Sequence, residues 1–225
     1  MTDIKGQLLP VYVMADESAS MSEHMAELNE GLASLHEALL AEPMTAAKVR
    51  FSVLGFSHDV QVRLKLADLR EVAELPGLVP RQATNYQTAF DDLRARIPGD
   101  IATLKAGGYQ VHRPAVFFLS DGQPNQGGDW KSAHARLTDR GSMPAAPNIV
   151  AFGIGQANPE TILHVATSPE FAFVAAVGTE VGAAIAKFSE KLTKSVVHSA
   201  RAVAAGSPTL VVERPEGFAM AIDLV

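Results

Sequence analysis

The sequence has no cysteine among its 225 residues. That absence excludes disulfide bonds, thiolate zinc sites and cysteine nucleophiles. The sequence also has few positively charged residues: 19 are Lys or Arg against 25 Asp or Glu, which gives a formal net charge of −6. No basic run carries interleaved aromatic residues. We therefore expect no nucleic-acid partner, because a phosphate-binding surface needs clustered positive charge.

Long apolar segments are missing as well. The first seven residues, MTDIKGQ, lack the apolar core of a signal peptide, and no apolar run approaches the ~18 residues of a membrane span. We expect a cytoplasmic protein without a membrane partner. The chain is long enough to bury roughly 70% of its unfolded surface as one domain. We place that domain at residues 1–206, followed by a tail, 207–225, that is too small to be a domain and could hold short strands at 210–213 and 218–222.

Apolar patterning predicts the architecture. Residues 60–66 alternate strictly between apolar and polar, which is typical of an antiparallel edge strand, with Arg63 and Lys65 protecting its solvent face. Nearly continuous apolar runs predict buried strands at 9–15, 49–56, 115–119, 148–154 and 171–174. Helices are expected at 22–41, 69–74, 86–104, 130–138, from 159, and over about 18 residues from 181. This order favours an α/β fold: a doubly wound, mostly parallel sheet with one antiparallel edge strand and helices on both faces.

Five polar residues stand where predicted strands end or helices begin. They are Asp16, Ser18, Ser20, Thr84 and Asp121. The carboxyl ends of parallel strands meet at one edge of a sheet, so we expect these side chains to converge there. Hydroxyl and carboxylate oxygens are hard donors, suited to Mg²⁺, with Mn²⁺ or Ca²⁺ as alternatives, rather than to zinc. Taken singly, the serines and the threonine could equally cap helices, and Asp121 could begin an ordinary turn.

The combined pattern resembles the metal-ion-dependent adhesion site (MIDAS) of von Willebrand factor A (vWA) domains. It consists of Asp-x-Ser-x-Ser from residue 16, a threonine at 84 and Asp-Gly from residue 121, and the resemblance covers about residues 8–199. The run Asp-Gly-Gln-Pro-Asn at 121–125, followed by Trp130, looks most like the bacterial tellurium-resistance-associated TerY-like group. Two residues depart from the pattern. Ala83 stands where the family often has glycine, and Glu17 adds a carboxylate near the site that could alter its affinity.

The resemblance implies that some of the five residues bind the metal directly and others through water. Ser18 and Ser20 would bind the metal directly, Asp16 and Asp121 largely through water, and Thr84 in either way. Two neutral hydroxyls cancel little of a +2 charge, so an Asp or Glu of a partner protein is the natural remaining ligand. The family resemblance implies a non-enzymatic interaction module, and the TerY-like group is associated with protein kinases and phosphatases.

Two other functions remain open from the residues alone. The chain could be a structural assembly subunit whose metal site is unoccupied. It could also be a Mg²⁺-dependent phosphoester enzyme, but it has no P-loop, and no Lys or His lies in the motif loops to act as acid, base or phosphate clamp. We therefore predict no catalytic residues. The single Gly-x-Gly at 153–155 lacks the third glycine of a dinucleotide fingerprint, so no organic cofactor is expected.

Overall fold

The computed structural model describes residues 4–124 and 128–221. The strands are β1 (Gly6–Asp16), β2 (Val49–Phe56), β3 (Val60–Ala67), β4 (Tyr109–Val111), β5 (Ala115–Ser120), β6 (Asn148–Gly153), β7 (Ala172–Ala175) and β8 (Phe218–Met220). The α-helices are α1 (Met25–Leu40), α2 (Pro43–Ala46), α3 (Tyr86–Ala106), α4 (Trp130–Thr138), α5 (Pro159–Val165) and α6 (Val181–Ala204). Short 3₁₀ turns occur at Ala19–His24, Leu69–Glu71 and Pro169–Phe171.

All eight strands join one sheet. The order is β3-β2-β1-β5-β6-β7-β8, and the short β4 pairs with the beginning of β1. Neighbours are parallel except for β2 with β3 and β7 with β8. The predicted α/β class and the antiparallel edge strand β3 are confirmed. The opposite edge also ends in an antiparallel strand, β8, which the tail supplies.

The side chains of β1 divide between two apolar layers. Leu9, Val11 and Val13 face a core cluster shared with α1 and α6, whereas Tyr12 and Met14 face a second cluster shared with α3, α4 and α5. This alternation follows from the two-residue period of a strand. Because both faces are covered, the central strand is apolar nearly throughout, as a buried parallel strand must be.

Three of the predicted helices differ in their details. The helix expected at 22–41 is a 3₁₀ turn (Ala19–His24) followed by α1, and the helix expected at 69–74 is only the turn Leu69–Glu71. The helix expected at 86–104 is α3, which runs unbroken from Tyr86 to Ala106 although Pro98 lies inside it. Pro98 and Gly99 lie on the exposed side of that helix, where the carbonyl that loses its backbone hydrogen bond is not forced into the apolar core.

The tail packs back on α6. The strand predicted at 210–213 is wrong, because the backbone N–H groups of Val211 and Glu213 donate to the hydroxyls of Ser199 and Ser195 instead of to a neighbouring strand. The second predicted tail strand is present as β8, and Ile222 at its predicted end lies outside the described residues. No helix within residues 4–124 and 128–221 is both long and apolar enough to cross a membrane.

Candidate metal centre

The sheet reverses its winding between β1 and β5. β2 lies on one side of β1 and β5 on the other, with Ala15 paired in register with Leu119. Asp16 comes directly after Ala15 and Asp121 two residues after Leu119, so both carboxylates lie at the carboxyl edge, where open α/β sheets bind ligands. Asp16 is fully buried and Asp121 is 9% exposed.

Both carboxylate oxygens of Asp16 are held by nearby donors. Oδ1 accepts a hydrogen bond from the backbone N–H of Ser18 at 2.8 Å, and Oδ2 accepts one from the hydroxyl of Ser120 at 2.5 Å. Burial raises the pKa of Asp16 to about 6, although the hydrogen bonds from Ser120 and Ser18 act in the opposite direction. No basic side chain contacts this carboxylate among the described residues. A positive charge brought to this edge would therefore stabilise its ionised form.

The hydroxyls of Ser18 and Ser20 converge on the second carboxylate. Their Oγ atoms lie 3.1 Å apart, and Oδ1 of Asp121 accepts from Ser20 at 3.0 Å and from Ser18 at 3.5 Å. Ser18 stands at the N-cap position of the turn Ala19–His24, but its side chain makes no capping hydrogen bond. The capping alternative therefore does not account for these hydroxyls, which point toward a residue about 100 positions away in the sequence.

Thr84 reaches the same edge from the beginning of α3. The cap of this helix is Asn85, whose side chain accepts from the N–H of Thr88 at 3.2 Å, so Thr84 is not needed for capping. Thr84 is 7% exposed, and a Cβ added to Gly122 would lie 3.9 Å from its Oγ1. The structure thus brings Thr84 beside the loop of Asp121. All five predicted site residues lie at this edge of the sheet.

Sequence reasoning missed three supporting residues. Ser120 orients Asp16, as described above, and also accepts from the N–H of Gly122 at 3.3 Å. Tyr86 donates from its buried hydroxyl to the carbonyl of Gly122 at 3.2 Å. Ser57 accepts from the N–H of Ala83 through its hydroxyl and from the N–H of Asn85 through its carbonyl, both at 2.9 Å. Ser120 could have been found from its position just before Asp121, whereas nothing local marks Ser57 or Tyr86.

Glu17 does not add an available carboxylate to the centre. It is fully buried and its two oxygens bind the guanidinium groups of Arg63 and Arg81. Its charge is therefore compensated within the protein, which corrects the expectation from its place in the motif. The same contact corrects the role predicted for Arg63. Its guanidinium group pairs with the buried Glu17 carboxylate instead of pointing into solvent to protect the edge strand.

The donors at this edge fit a hard divalent cation. Two carboxylates and three hydroxyls supply only oxygen, the ligand type preferred by Mg²⁺, Mn²⁺ and Ca²⁺. The described part of the chain, this edge included, holds no group of three or more His, Asp or Glu side chains arranged to hold a metal, so the hydroxyls are needed to complete the donor set here. If metal is bound, Ser18, Ser20 and Thr84 would hold it through hydroxyls, and Asp16 and Asp121 through carboxylates.

The fold is shared with solved structures of a mussel byssus protein and a bacterial pilus adhesin. Proximal thread matrix protein 1 from the mussel byssus aligns with a TM-score of 0.58 at 18% identity over 86% of this chain and 49% of that one. The pilus adhesin SpaC of Lactobacillus rhamnosus GG aligns with a TM-score of 0.64 at 11% identity over 87% of this chain and 31% of the adhesin. The chain has a vWA fold.

A second structure of the mussel protein is described as having a zinc-occupied MIDAS motif. It aligns with a TM-score of 0.59 at 17% identity over 86% of this chain and 48% of that one. This chain therefore spans half or less of the length of these vWA-fold neighbours. A scan against protein-family models finds no match, and a search of curated proteins finds none either. At such low identities the likeness establishes the fold alone.

Proposed function

We propose that this vWA-fold chain is a metal-dependent protein-interaction module without enzymatic activity. The observation that carries the proposal is the convergence of the Ser18 and Ser20 hydroxyls on Asp121, next to the buried carboxylate of Asp16. A cation bound there would offer an electrophilic position to an Asp or Glu side chain of another protein. The zinc-occupied MIDAS described for the mussel protein supports a divalent metal, and we propose Mg²⁺ as the ion because the donors are hard oxygens.

The surroundings of the centre favour binding over catalysis. Within the described residues, Asp16, Ser18, Ser20 and Asp121 make no hydrogen bond or ion pair with a Lys, Arg or His side chain. Sites of phosphoryl transfer commonly place a Lys or Arg clamp on the phosphate, and no such clamp contacts these four residues. The proposal therefore assigns the partner's carboxylate, and not a reaction, to the exposed side of the metal.

We further propose that this chain is a cytoplasmic, bacterial TerY-like protein that acts in a kinase- or phosphatase-associated complex of the tellurium-resistance type. Its support is the run Asp-Gly-Gln-Pro-Asn at 121–125 followed by Trp130, of which Asn125 lies outside the described residues. In the structure Trp130 packs against Tyr86 and Phe90, with ring centroids 5.7 and 6.2 Å away. Its ring therefore contributes to the core beneath the Asp121 loop, with only its remaining surface open to a partner.

The test is calorimetric titration of metal-free protein with Mg²⁺, Mn²⁺ and Ca²⁺, beside Asp16→Ala and the remote control Asp68→Asn. We expect wild type to bind one equivalent of metal. The affinity of Asp16→Ala should be at least about 100-fold lower, because Asp16 belongs to the site itself, and that of the control should be unchanged. A short peptide with a single Asp should bind only with metal present, and its Asn counterpart should not bind. Equal affinity of Asp16→Ala for metal, or peptide binding that ignores metal, would leave the assembly-subunit alternative as the better account.

A further inference from the structure

Glu17 lies inside the metal-binding motif, yet its side chain is directed into the protein. Its oxygens accept from Nε and Nη2 of Arg63 at 2.8 and 3.0 Å, from Nε of Arg81 at 2.8 Å, and from the N–H of Val79 at 3.0 Å. A Cβ added to Gly55 would overlap this carboxyl group, so glycine makes room for it. Four donors and two positive charges therefore fix the carboxylate in one position.

Arg81 extends this contact to the end of β2. Its backbone N–H donates to the carbonyl of Glu17 at 2.5 Å, and its Nη2 donates to the carbonyls of Gly55 and Asp59 at 2.9 and 3.0 Å. It also forms an ion pair with the Asp59 carboxylate. The segment that precedes Thr84 is thereby tied both to the Asp16–Ser20 loop and to the neighbouring strand end.

Thr84 lies just beyond this anchored segment. The residues on either side of it, Ala83 and Asn85, both donate their N–H groups to Ser57, which directly follows β2. The backbone on both sides of Thr84 is thus held by contacts that involve none of the five candidate ligands. Such support is what keeps a binding site in its productive geometry before the ligand arrives.

We propose that Glu17 is a positioning residue of the metal centre, which fixes Thr84 against the Asp16–Ser20 loop in the absence of metal. This inference rests on the proposed metal-binding function. Without the Glu17 carboxylate, the segment 79–81 would lose the hydrogen bonds that Val79 and the Arg81 guanidinium donate to it, and each binding event would have to order the loop of Thr84. Preorganisation removes that ordering cost, so its loss should appear as weaker metal binding.

Glu17→Gln tests this, and Asp68→Asn provides a matched control. Asp68 is also a buried carboxylate held by two arginines, Arg50 at 3.1 Å and Arg70 at 2.6 Å, but it lies at the turn after β3. Both substitutions break a buried ion pair and should lower thermal stability. Only Glu17→Gln should raise the Mg²⁺ dissociation constant, by about 10- to 100-fold as for other residues that support a ligand set. Titrations well below either melting temperature separate the two effects.

Hydrogen exchange of the metal-free proteins gives an independent measurement. The amides of Ala83 and Asn85 should exchange faster in Glu17→Gln than in wild type, and remain unchanged in Asp68→Asn. If Glu17→Gln does not fold, Arg81→Lys can be compared with Arg70→Lys. Each substitution keeps the positive charge but removes the planar guanidinium group and its several N–H donors. Wild-type affinity and exchange in the Glu17 variant would overturn this proposal alone, whereas failure of the wild-type protein to bind metal would overturn the proposed function and this proposal with it.

Discussion

The hydroxyl of Ser120 donates to Oδ2 of Asp16 over 2.5 Å and so joins the ends of β5 and β1. Both residues are fully buried, and the contact links positions that are 104 residues apart in the sequence. A hydrogen bond of this kind holds the carboxylate in one orientation while its other oxygen is bound by the Ser18 amide. Asp16 is therefore oriented by the protein itself, without help from a bound ion.

Ser120→Ala should weaken metal binding without removing a candidate ligand. We expect the Mg²⁺ dissociation constant to rise by about 10- to 100-fold, because residues that orient a ligand contribute on that scale. Calorimetric titration measures the change. Ser52→Ala is the control. Ser52 is equally buried, and its hydroxyl donates to the carbonyl of Leu64 at 2.8 Å and to none of the candidate ligands. Both variants should lose about 1 kcal/mol of stability, and equal metal affinities would refute the role assigned to Ser120.

The crossing of α1 and α6 depends on a small residue at position 31. A Cβ added to Gly31 would overlap the side chain of Ser189 on α6. Gly31→Ala should therefore lower the free energy of unfolding by about 1–3 kcal/mol through overpacking. Ser189→Gly should itself cost about 1 kcal/mol as a helical glycine, but it clears the space that the methyl group added at position 31 would need.

Urea denaturation of the two single variants and the double variant measures their coupling. We expect the double variant to be less destabilised than the sum of the single variants, by at least about 0.5 kcal/mol, since the two residues are in contact. Strict additivity would mean that the cost of Gly31→Ala does not arise from its contact with Ser189.

His134 should make the protein less stable in mild acid. Burial lowers the pKa of this ring, which lies 2.8 Å from the carbonyl of Val165 through Nε2 and beside His164. A histidine with a lowered folded-state pKa contributes its full stability above the unfolded pKa of about 6.5, and that contribution falls as the pH drops below this value. The slope it adds is at most about 1.4 kcal/mol per pH unit for one proton.

His134→Gln removes that proton-binding site and keeps an N–H donor for Val165. The free energy of unfolding, measured in urea at pH values from 7.5 to 5, should fall less steeply in the variant than in wild type. Using the difference between the two proteins cancels the other titrating groups, including Asp16, whose raised pKa acts in the opposite direction. Parallel pH profiles would show that His134 is not the group responsible.

Local pattern was sufficient for most of the fold. The continuous apolar run of β1 and the stripe of α6 reflect burial, which a sequence records residue by residue. The alternation of β3 predicts the strand but not its burial, since Val62 is exposed and Arg63 is half-buried against Glu17. β4 could not be predicted because its three residues, which follow a Gly-Gly pair, carry no pattern, and their pairing with Gly6–Leu8 is a long-range contact. The segment at 210–213, apolar in its first three residues, has the pattern of a strand, and the sequence does not reveal that serines of α6 bind its backbone.

The candidate site was predictable where position alone decides it. Asp16 ends β1 and Asp121 directly follows the adjacent parallel strand β5, so the topology brings them together whatever their side chains do. The direction of Glu17 could not be predicted, because it is set by Arg63 and Arg81, which lie 46 and 64 residues further along the chain. A motif position fixes where a backbone goes, but the partner that captures a charged side chain is a property of the whole fold. Whether the five residues bind metal remains a prediction.

The uncharged hydroxyls of Ser18 and Ser20 have a consequence for how such a module would respond to its surroundings. An ion held partly by neutral oxygens keeps much of its charge, so an incoming carboxylate should strengthen ion binding. Reciprocity of binding free energies then requires the ion to strengthen carboxylate binding by the same factor. Occupancy would follow the product of the ion and partner concentrations. In the proposed function, the protein would act as a coincidence detector that engages fully only when both are present.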